Sequence, residues 1–374
     1  MALWKIDPNG DVLLTLYNPN APFAFWSPDE KTEENSLPKS ESESGPDTAS
    51  ESESEPEFEP VPNPEPQPEV KWVLESDLAS GSTSPLEKNP CDGSSRVIKY
   101  LVSSRHLILA SKYFEKLLQG PWMEGTEVHL DGCRHVSAED WDERALLILM
   151  QIIHGRNKKV PRVITLEMYA KIAVLVDYYK CHEVVTLWSE LWTAQLRTNL
   201  PKRCDRDLVL WILIASVFQE GQLFKEATEI AVNHCDNDLP TMHLPILRVA
   251  EHINSRRQCR LREIFDFLFD IRIFSGENSI GCNFACSSML LGALMLQMHK
   301  NGLDSKPKPP YTGYMIMSVL DMVRNFETPS WRCPHHNYKY HDGCTISELV
   351  VDNLVAGEEV GLELWEVFGV STDD

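Results

Sequence analysis

The sequence lacks an apolar stretch long enough to cross a membrane. Its longest uninterrupted apolar run, Leu208 to Ala215, is far shorter than the ~20 residues that span a bilayer. Lys5 and Asp7 follow Met1 too closely for a basic and then apolar secretory leader. Ten cysteines in 374 residues are also too few for a disulfide scaffold, which favours a reducing compartment. We therefore expect an intracellular protein, cytoplasmic or nuclear, with no membrane partner.

Positive charge is scarce as well. The chain has 35 basic and 56 acidic side chains, a formal net charge of -21 and an isoelectric point near 5.0. A surface that neutralises phosphates needs many cations, so nucleic acid is not an expected partner. The main concentration of arginine consists of Arg256, Arg257, Arg260 and Arg262. Acidic residues are interspersed among them, which indicates a solvated helix face rather than a phosphate-binding groove.

The sequence contains none of the motifs of common catalytic sites. We find no phosphate-binding P-loop, no dinucleotide-binding glycine pattern, no nucleophile elbow and no H-E-x-x-H zinc helix. Cys181–His182 and His234–Cys235 place a thiol next to an imidazole, but adjacent side chains diverge on a helix. We therefore predict a protein that is not an enzyme and needs no cofactor.

Negative charge is concentrated in one segment. Residues 27–70 hold 14 acidic side chains, two lysines, nine prolines and eight serines, which gives a net charge of -12. A segment of this composition cannot bury enough apolar surface to offset the entropy that it loses on ordering. We predict a disordered acidic insertion over residues 27–70.

Strand signals flank this insertion. A turn at Pro8–Gly10 precedes the apolar segment Asp11–Tyr17, and Val97–Val102 is a second run rich in β-branched and aromatic residues. Val70–Leu74 is a candidate for a short third strand. Loop-closure entropy grows only with the logarithm of length, so an insertion between two strands costs about 1 to 2 kcal/mol. The fold can tolerate it.

Two short helices are predicted directly after the second strand. Ser103 and Ser104 are favourable N-cap residues for the first helix, and Ser111 is favourable for the second, which Gly120 ends. Glu127–Leu130 is the next strand candidate.

A buried helix follows. Ser137 and Asp140 have the spacing of a capping box in front of the apolar run Ala145–Met150, and Gly155 ends that helix. From Thr165 onward, apolar residues again recur at helical spacing. The predicted order is two strands, two short helices, a strand and then longer helices.

The segment Val102–Leu118, V-S-S-R-H-L-I-L-A-S-K-Y-F-E-K-L-L, resembles the signature of the BTB/POZ fold in the form common among fungal BTB proteins. Leu107, Ser111 and Phe114 match the family's Leu, Ser and Phe. Asp11-Val12 is similar to the Asp-Val that opens the family's first strand. The resemblance implies an α+β module in which helices flank a small sheet, and it implies that this module binds proteins.

The resemblance also implies two interaction surfaces. Members commonly pair with themselves or with another BTB domain through the first strand and the first helices. The residues that this implies here are Asp11, Val12, Leu13, Leu14, Leu107 and Phe114. Some members also dock a cullin scaffold of a ubiquitin ligase through a hydrophobic-x-Glu element, a pattern that Trp122, Met123 and Glu124 have. The alternative is that Trp122 packs onto its own domain.

The second half of the chain is predicted to be helical, and its order of helices is similar to the helical extension behind fungal BTB domains. The apolar periodicity predicts helices over Arg206–Phe218, Leu223–Cys235, Pro245–Phe274, Ser287–Met298, Tyr314–Phe326 and Ser347–Ala356.

One cluster of cysteine and histidine in this half could hold zinc. Tetrahedral zinc takes four thiolate or imidazole ligands, and loops of this length can supply them. The candidate ligands are Cys282, Cys286, Cys333, His335, His341 and Cys344. The spacing is not that of a known zinc finger, and the alternative is small buried thiols beside a polar loop that contains His335, His336 and His341.

The sequence therefore predicts an α+β BTB/POZ domain followed by an all-α domain. Residues 1–26 and 71–195 form the first domain, residues 27–70 the insertion, and residues 196–374 the helical domain. The expected function is that of a non-enzymatic interaction adaptor that forms a homodimer or a BTB heterodimer. One form of this function is a substrate adaptor of a cullin-type ubiquitin ligase. The alternative is a transcription- or chromatin-associated regulator that dimerises through the BTB domain.

Overall fold

A computed structural model describes residues 2–26, 96–120, 128–270, 281–330, 344–346 and 360–369. The acidic segment 27–70, the candidate strand Val70–Leu74, the cullin element at Trp122–Glu124 and the predicted helix Ser347–Ala356 lie outside these residues. The described part is an α+β structure with a four-stranded mixed sheet and many helices. The strands are β1 (Ala2–Lys5), β2 (Val12–Tyr17), β3 (Val97–Val102) and β4 (Arg134–Glu139). The helices are α1 (Ser104–Ala110), α2 (Lys112–Gln119), α3 (Glu143–Ile153), α4 (Leu166–Tyr179), α5 (His182–Leu196), α6 (Arg206–Val217), α7 (Gly221–His234), α8 (Leu247–Asp270), α9 (Phe284–Lys300), α10 (Ile316–Arg324) and α11 (Leu364–Phe368).

The sheet has the strand order β1-β3-β2-β4. Strands β2 and β3 are antiparallel, whereas β1 runs parallel to β3 and β4 runs parallel to β2. The predicted strands over residues 11–17 and 97–102 are confirmed as β2 and β3. Strand β2 lies between β3 and β4, and its side chains from Val12 to Leu16 are all buried.

The turn before β2 depends on a glycine. Gly10 donates its backbone N–H to the carbonyl oxygen of Asp7 at 3.0 Å. A Cβ at residue 10 would lie 2.5 Å from the carbonyl oxygen of Val102, closer than a carbon atom can approach. Glycine is therefore required for β2 to enter the sheet beside β3.

One expectation for the last strand of the sheet was wrong. The strand predicted at Glu127–Leu130 is not there in its described part, and β4 begins instead at Arg134. The Asp131–Gly132 turn precedes β4: Gly132 has a φ of +76°, and the carboxylate of Asp131 accepts the N–H of Cys133 at 3.0 Å.

The cap of α3 also differs from the expectation. Ser137 lies within β4, and the N-cap is Asp142, whose carboxylate accepts the N–H groups of Arg144 and Ala145 at 3.0 and 2.9 Å. Gly155 follows the end of α3 with a φ of +65°, as predicted. The helix buries eight of its residues and packs against β3, α1 and α4.

Helix α6 lies at the centre of the helical part. All its residues except Arg206, Asp207 and Ser216 are buried, and it packs between α4 and α7. Arg206 joins the two halves of the chain, because its guanidinium donates to the carbonyl oxygen of Ala24 at 2.8 Å and to Glu167 at 2.9 Å. The domain boundary predicted between residues 195 and 196 stays a prediction.

Within the described residues, no helix combines the length and the apolar composition that crossing a bilayer requires.

A disulfide joins Cys204, just before α6, to Cys235, the C-cap of α7. It holds together the ends of a helical hairpin formed by α6 and α7. Disulfides persist mainly under oxidising conditions, and the compartment expected from the low cysteine content stays a prediction.

Candidate functional site

Within the part of the chain that the structure describes, strand β1 is an open edge of the sheet. Its one neighbour there is β3, and all four of its residues are exposed. Leu3 is 50% exposed and Trp4 is 41% exposed, although each is large and apolar. A strand with one unpaired side and apolar side chains on both faces is a template for pairing with another strand.

The backbone direction of β1 identifies which groups are open. Ile6, one residue after β1, donates its N–H toward β3, to the carbonyl oxygen of Leu101. Since successive residues of a strand alternate in direction, Trp4 also faces β3, and Leu3 and Lys5 direct their N–H and C=O groups outward. Two residues of β1 therefore present hydrogen-bonding groups at the open edge.

A cleft of about 530 Å³ lies beside this edge. Its acidic groups are already engaged: Asp142 accepts from Lys171 at 3.0 Å, and Glu143 accepts from Arg96 at 2.8 Å. The apolar part of the lining consists of Trp4, Leu147 and Met168. The cleft is lined by Trp4, Asn20, Asp142, Glu143, Arg144, Leu147 and Met168.

The structure places the six implied interface residues differently from the expectation. The five apolar ones are buried within the chain itself, with exposures of 9% or less, and the strand that carries three of them is central rather than at an edge. Their side chains therefore build the core of this conformation and do not line its surface. These five residues are Val12, Leu13, Leu14, Leu107 and Phe114.

Asp11, the sixth, anchors the first helix. Its carboxylate accepts the backbone N–H of Ser104 at 2.8 Å and the hydroxyl of Ser104 at 2.7 Å. Burial acts to raise the pKa of Asp11, but the hydrogen bonds from Ser104 and the charge of Arg134 outweigh it and lower the pKa below its ordinary value. The carboxylate thus joins the start of β2 to the start of α1.

The arginine cluster on α8 is mostly engaged within the chain. Arg257 is 1% exposed, Arg256 pairs with Glu366 at 2.6 Å, and Arg260 pairs with Glu263 at 3.0 Å. Cations that are buried or paired with carboxylates cannot neutralise phosphates at the same time. The described part of α8 therefore does not offer the groove that phosphate binding needs.

The two thiol–imidazole neighbours are not activated pairs. Burial raises the pKa of Cys181 to about 12, so this thiol stays protonated near neutral pH. Burial lowers the pKa of the adjacent His182. In the other pair, the sulfur of Cys235 is held in the disulfide with Cys204.

Three of the six predicted metal ligands come together. The sulfur atoms of Cys282, Cys286 and Cys344 all lie within 4.8 Å of one another. Cys286 is fully buried, Cys344 is half-buried and Cys282 is exposed, so the cluster reaches from the core to the surface. The other three candidates, Cys333, His335 and His341, lie outside the described residues, as does the cullin element Trp122, Met123 and Glu124.

No protein-family model, curated protein or solved structure matches this chain. The resemblance of the N-terminal part to the BTB/POZ family therefore depends on its own residues and on the order of its elements. The open edge of β1 follows from the strand order of the sheet, and the cysteine cluster follows from candidates named in the sequence that the structure brings together.

Proposed function

We propose that this chain is a non-enzymatic protein-interaction adaptor whose N-terminal module resembles a BTB/POZ domain and pairs with a second copy along β1. The observation that carries the proposal is the open edge: among the described residues β1 is hydrogen-bonded on one side only, and Leu3 and Trp4 are exposed on it. A second β1 strand would satisfy the outward backbone groups and cover both side chains.

The residues that carry the family resemblance support the module. Leu107 and Phe114 are fully buried, and Ser111 is the N-cap of α2, where its hydroxyl accepts the N–H of Phe114 at 3.1 Å. The same hydroxyl donates to the carbonyl oxygen of Tyr179 on α4. These matched residues therefore tie the two short helices to the sheet and to the longer helices, which is a packing role suited to a family signature.

Symmetry restricts how two β1 strands can pair. In an antiparallel pair, two residues that lie opposite each other point to the same face of the sheet. A two-fold axis perpendicular to the sheet preserves the faces, so it must pass between a residue and the residue of the same number in the second copy. An axis at Trp4 sets Trp4 against Trp4 of the second copy, and Leu3 against Lys5. This register uses the outward groups of both Leu3 and Lys5, keeps the two lysines apart, and adds an aromatic cross-strand pair worth about 0.2 to 1 kcal/mol.

Sedimentation equilibrium of the full chain, with any affinity tag at the C-terminal end, tests this register. Leu3→Pro removes an outward N–H group and should abolish the dimer, whereas Leu3→Ala keeps that group and should retain it. Trp4→Glu sets two carboxylates against each other and should also give a monomer, while Trp4→Phe should dimerise.

A strict monomer at tens of micromolar for the wild-type chain contradicts the homotypic proposal, as does a Leu3→Pro variant that dimerises like the wild type. Circular dichroism of each variant shows whether its fold is retained. A cullin contact through Trp122, Met123 and Glu124 stays a prediction from the sequence.

A further inference from the structure

The three clustered sulfur atoms have the spacing that a tetrahedral metal site requires. Zinc binds a thiolate at about 2.3 Å, so two sulfur ligands of one ion lie about 3.8 Å apart. The sulfur atoms of Cys282, Cys286 and Cys344 lie within 4.8 Å of one another, a difference that small side-chain rotations remove. We propose that these three cysteines bind one Zn²⁺ ion as thiolates, a site that is independent of the proposed dimer.

The start of α9 is built to hold two of the ligands. Asn283 is the N-cap of this helix, and its side-chain oxygen accepts the backbone N–H of Cys286 at 2.9 Å. The amide nitrogen of the same side chain donates to the sulfur of Cys282 at 3.3 Å. Asn283 thus orients both cysteines, and the positive end of the helix dipole favours the negative charge of thiolates.

The chain approaches the cluster closely at Gly281. A Cβ at this position would lie 2.5 Å from the sulfur of Cys286 and 2.8 Å from the backbone nitrogen of Ser287. The N–H of Gly281 donates to the hydroxyl of Ser287 at 3.1 Å, which folds the segment before α9 back over the helix. Only glycine permits the path that brings Cys282 to Cys286.

The third ligand comes from a distant part of the chain. Ile346, two residues after Cys344, is 2% exposed and donates its N–H to the hydroxyl of Thr328 at 3.0 Å. This anchor holds Cys344 against the start of α9, so a bound ion would cross-link α9 to the segment that follows α10. Thiolate ligands select zinc over magnesium or calcium, which prefer oxygen.

The competing state of the same cluster is a disulfide between two of the thiols. A disulfide consumes two thiolates and leaves one ligand, so it cannot bind zinc tightly. Metal content and thiol count therefore separate the two states: the zinc site predicts about one zinc per folded chain, whereas a disulfide predicts little zinc and two fewer reactive thiols after unfolding in a chelator.

The experiment is elemental analysis of the purified full chain, followed by Co²⁺ titration of chelator-stripped protein. We expect about one equivalent of zinc and a sulfur-to-cobalt charge-transfer band in the near ultraviolet. Cys282→Ser is the main variant because Cys282 is exposed, so its replacement leaves the core intact; it should lose most of the zinc and weaken the band. Asn283→Ala should weaken zinc binding by about tenfold or more.

The matched control is Cys259→Ser, which removes an exposed thiol of α8 outside the cluster and should keep the full zinc content. Circular dichroism establishes that each variant is folded. Less than about a tenth of an equivalent of zinc in wild-type protein, before and after titration with Zn²⁺, overturns the proposal. Equal zinc content in the wild type and the folded Cys282→Ser variant overturns it as well.

Discussion

The guanidinium group of Arg257 donates to the carbonyl oxygen of Pro310, with 3.0 Å between Nη2 and the oxygen. Arg257 is 1% exposed, and its Nη1 also donates to the carbonyl oxygen of Tyr314 at 3.2 Å. Phe265, about two turns after Arg257 on α8, packs edge-on against the ring of Tyr314. A buried cation thus holds the loop before α10 against α8 by satisfying carbonyl groups that no helix or strand satisfies.

Arg257→Met is expected to destabilise the chain by about 3 to 5 kcal/mol, because the loop carbonyls lose their donor while they stay buried. Denaturant unfolding followed by circular dichroism measures the loss. Arg262→Met, an exposed arginine of the same helix, is the control and should change stability by less than about 0.5 kcal/mol. An Arg257→Met variant as stable as the control would show that the loop is held by other contacts.

A second prediction concerns His154, the residue after α3. Its Nε2 accepts the backbone N–H of Ser103 at 2.9 Å, and its Nδ1 lies 2.8 Å from the carbonyl oxygen of Met150, so the bonded form is neutral. Burial lowers the pKa of His154, and the neighbouring His106 and Arg156 act in the same direction, whereas Met150 and Asp7 oppose it. The folded state therefore binds a proton less readily than the unfolded state.

Stability should consequently fall as the pH falls below about 6.5, where the unfolded histidine gains its proton, by up to about 1.4 kcal/mol for each pH unit. His154→Gln keeps an acceptor for Ser103 and should flatten this dependence between pH 7.5 and 5. Because burial also lowers the pKa of His182, the double variant with His182→Gln should be flatter still. An unchanged slope in His154→Gln would assign the pH dependence to other groups.

The elements that the sequence predicted well are those with strong local signals. Strands β2 and β3 are runs of apolar, β-branched and aromatic residues. Helices α1, α2 and α4 each have a serine or a threonine at the N-cap. Strand β1 was missed because Ala2–Lys5 is short and does not alternate; it is a strand only because β3, distant in sequence, pairs with it. The open edge follows from strand order, which no local pattern encodes.

The candidate sites, too, were predictable only as far as the local sequence carries a signal. Cysteine spacing was enough to suggest Cys282, Cys286 and Cys344 as ligands, since two of them lie one helical turn apart. It could not show which of the cysteines and histidines meet in space. The pairing of Cys204 with Cys235 was missed because the residues are separated by a helical hairpin, and low cysteine content argued against any disulfide.

The disulfide gives a third prediction. Cys204 and Cys235 are 31 positions apart, and closing a loop of that length stabilises a protein by about 3 to 4 kcal/mol in the chain-entropy model. The double variant Cys204→Ser, Cys235→Ser should therefore unfold at a lower denaturant concentration than the wild type, and a reductant should lower the wild type to the same midpoint. If reductant lowers the denaturant midpoint of the double variant as much as that of the wild type, the stabilising link lies elsewhere in the chain.

The last prediction concerns charge and self-association, and it depends on the proposed pairing along β1. Each chain carries a net charge of -21, of which residues 27–70 contribute -12, so two copies repel each other. Salt shortens the range of that repulsion from about 30 Å at 0.01 M to about 8 Å at 0.15 M. The hydrogen bonds and apolar contacts of a β1 pair are much less sensitive to salt.

Self-association should therefore strengthen between low and moderate salt, and strengthen again when Ser27–Pro68 is deleted. The matched control keeps the segment at full length but replaces its Glu and Asp by Gln and Asn. If charge is the cause, the control should associate like the deletion variant, and both should depend less on salt than the wild type. Sedimentation equilibrium at two salt concentrations measures all three proteins. Association that weakens as salt is added would mean that attraction between unlike charges holds the two copies together, and would contradict pairing through the edge of β1.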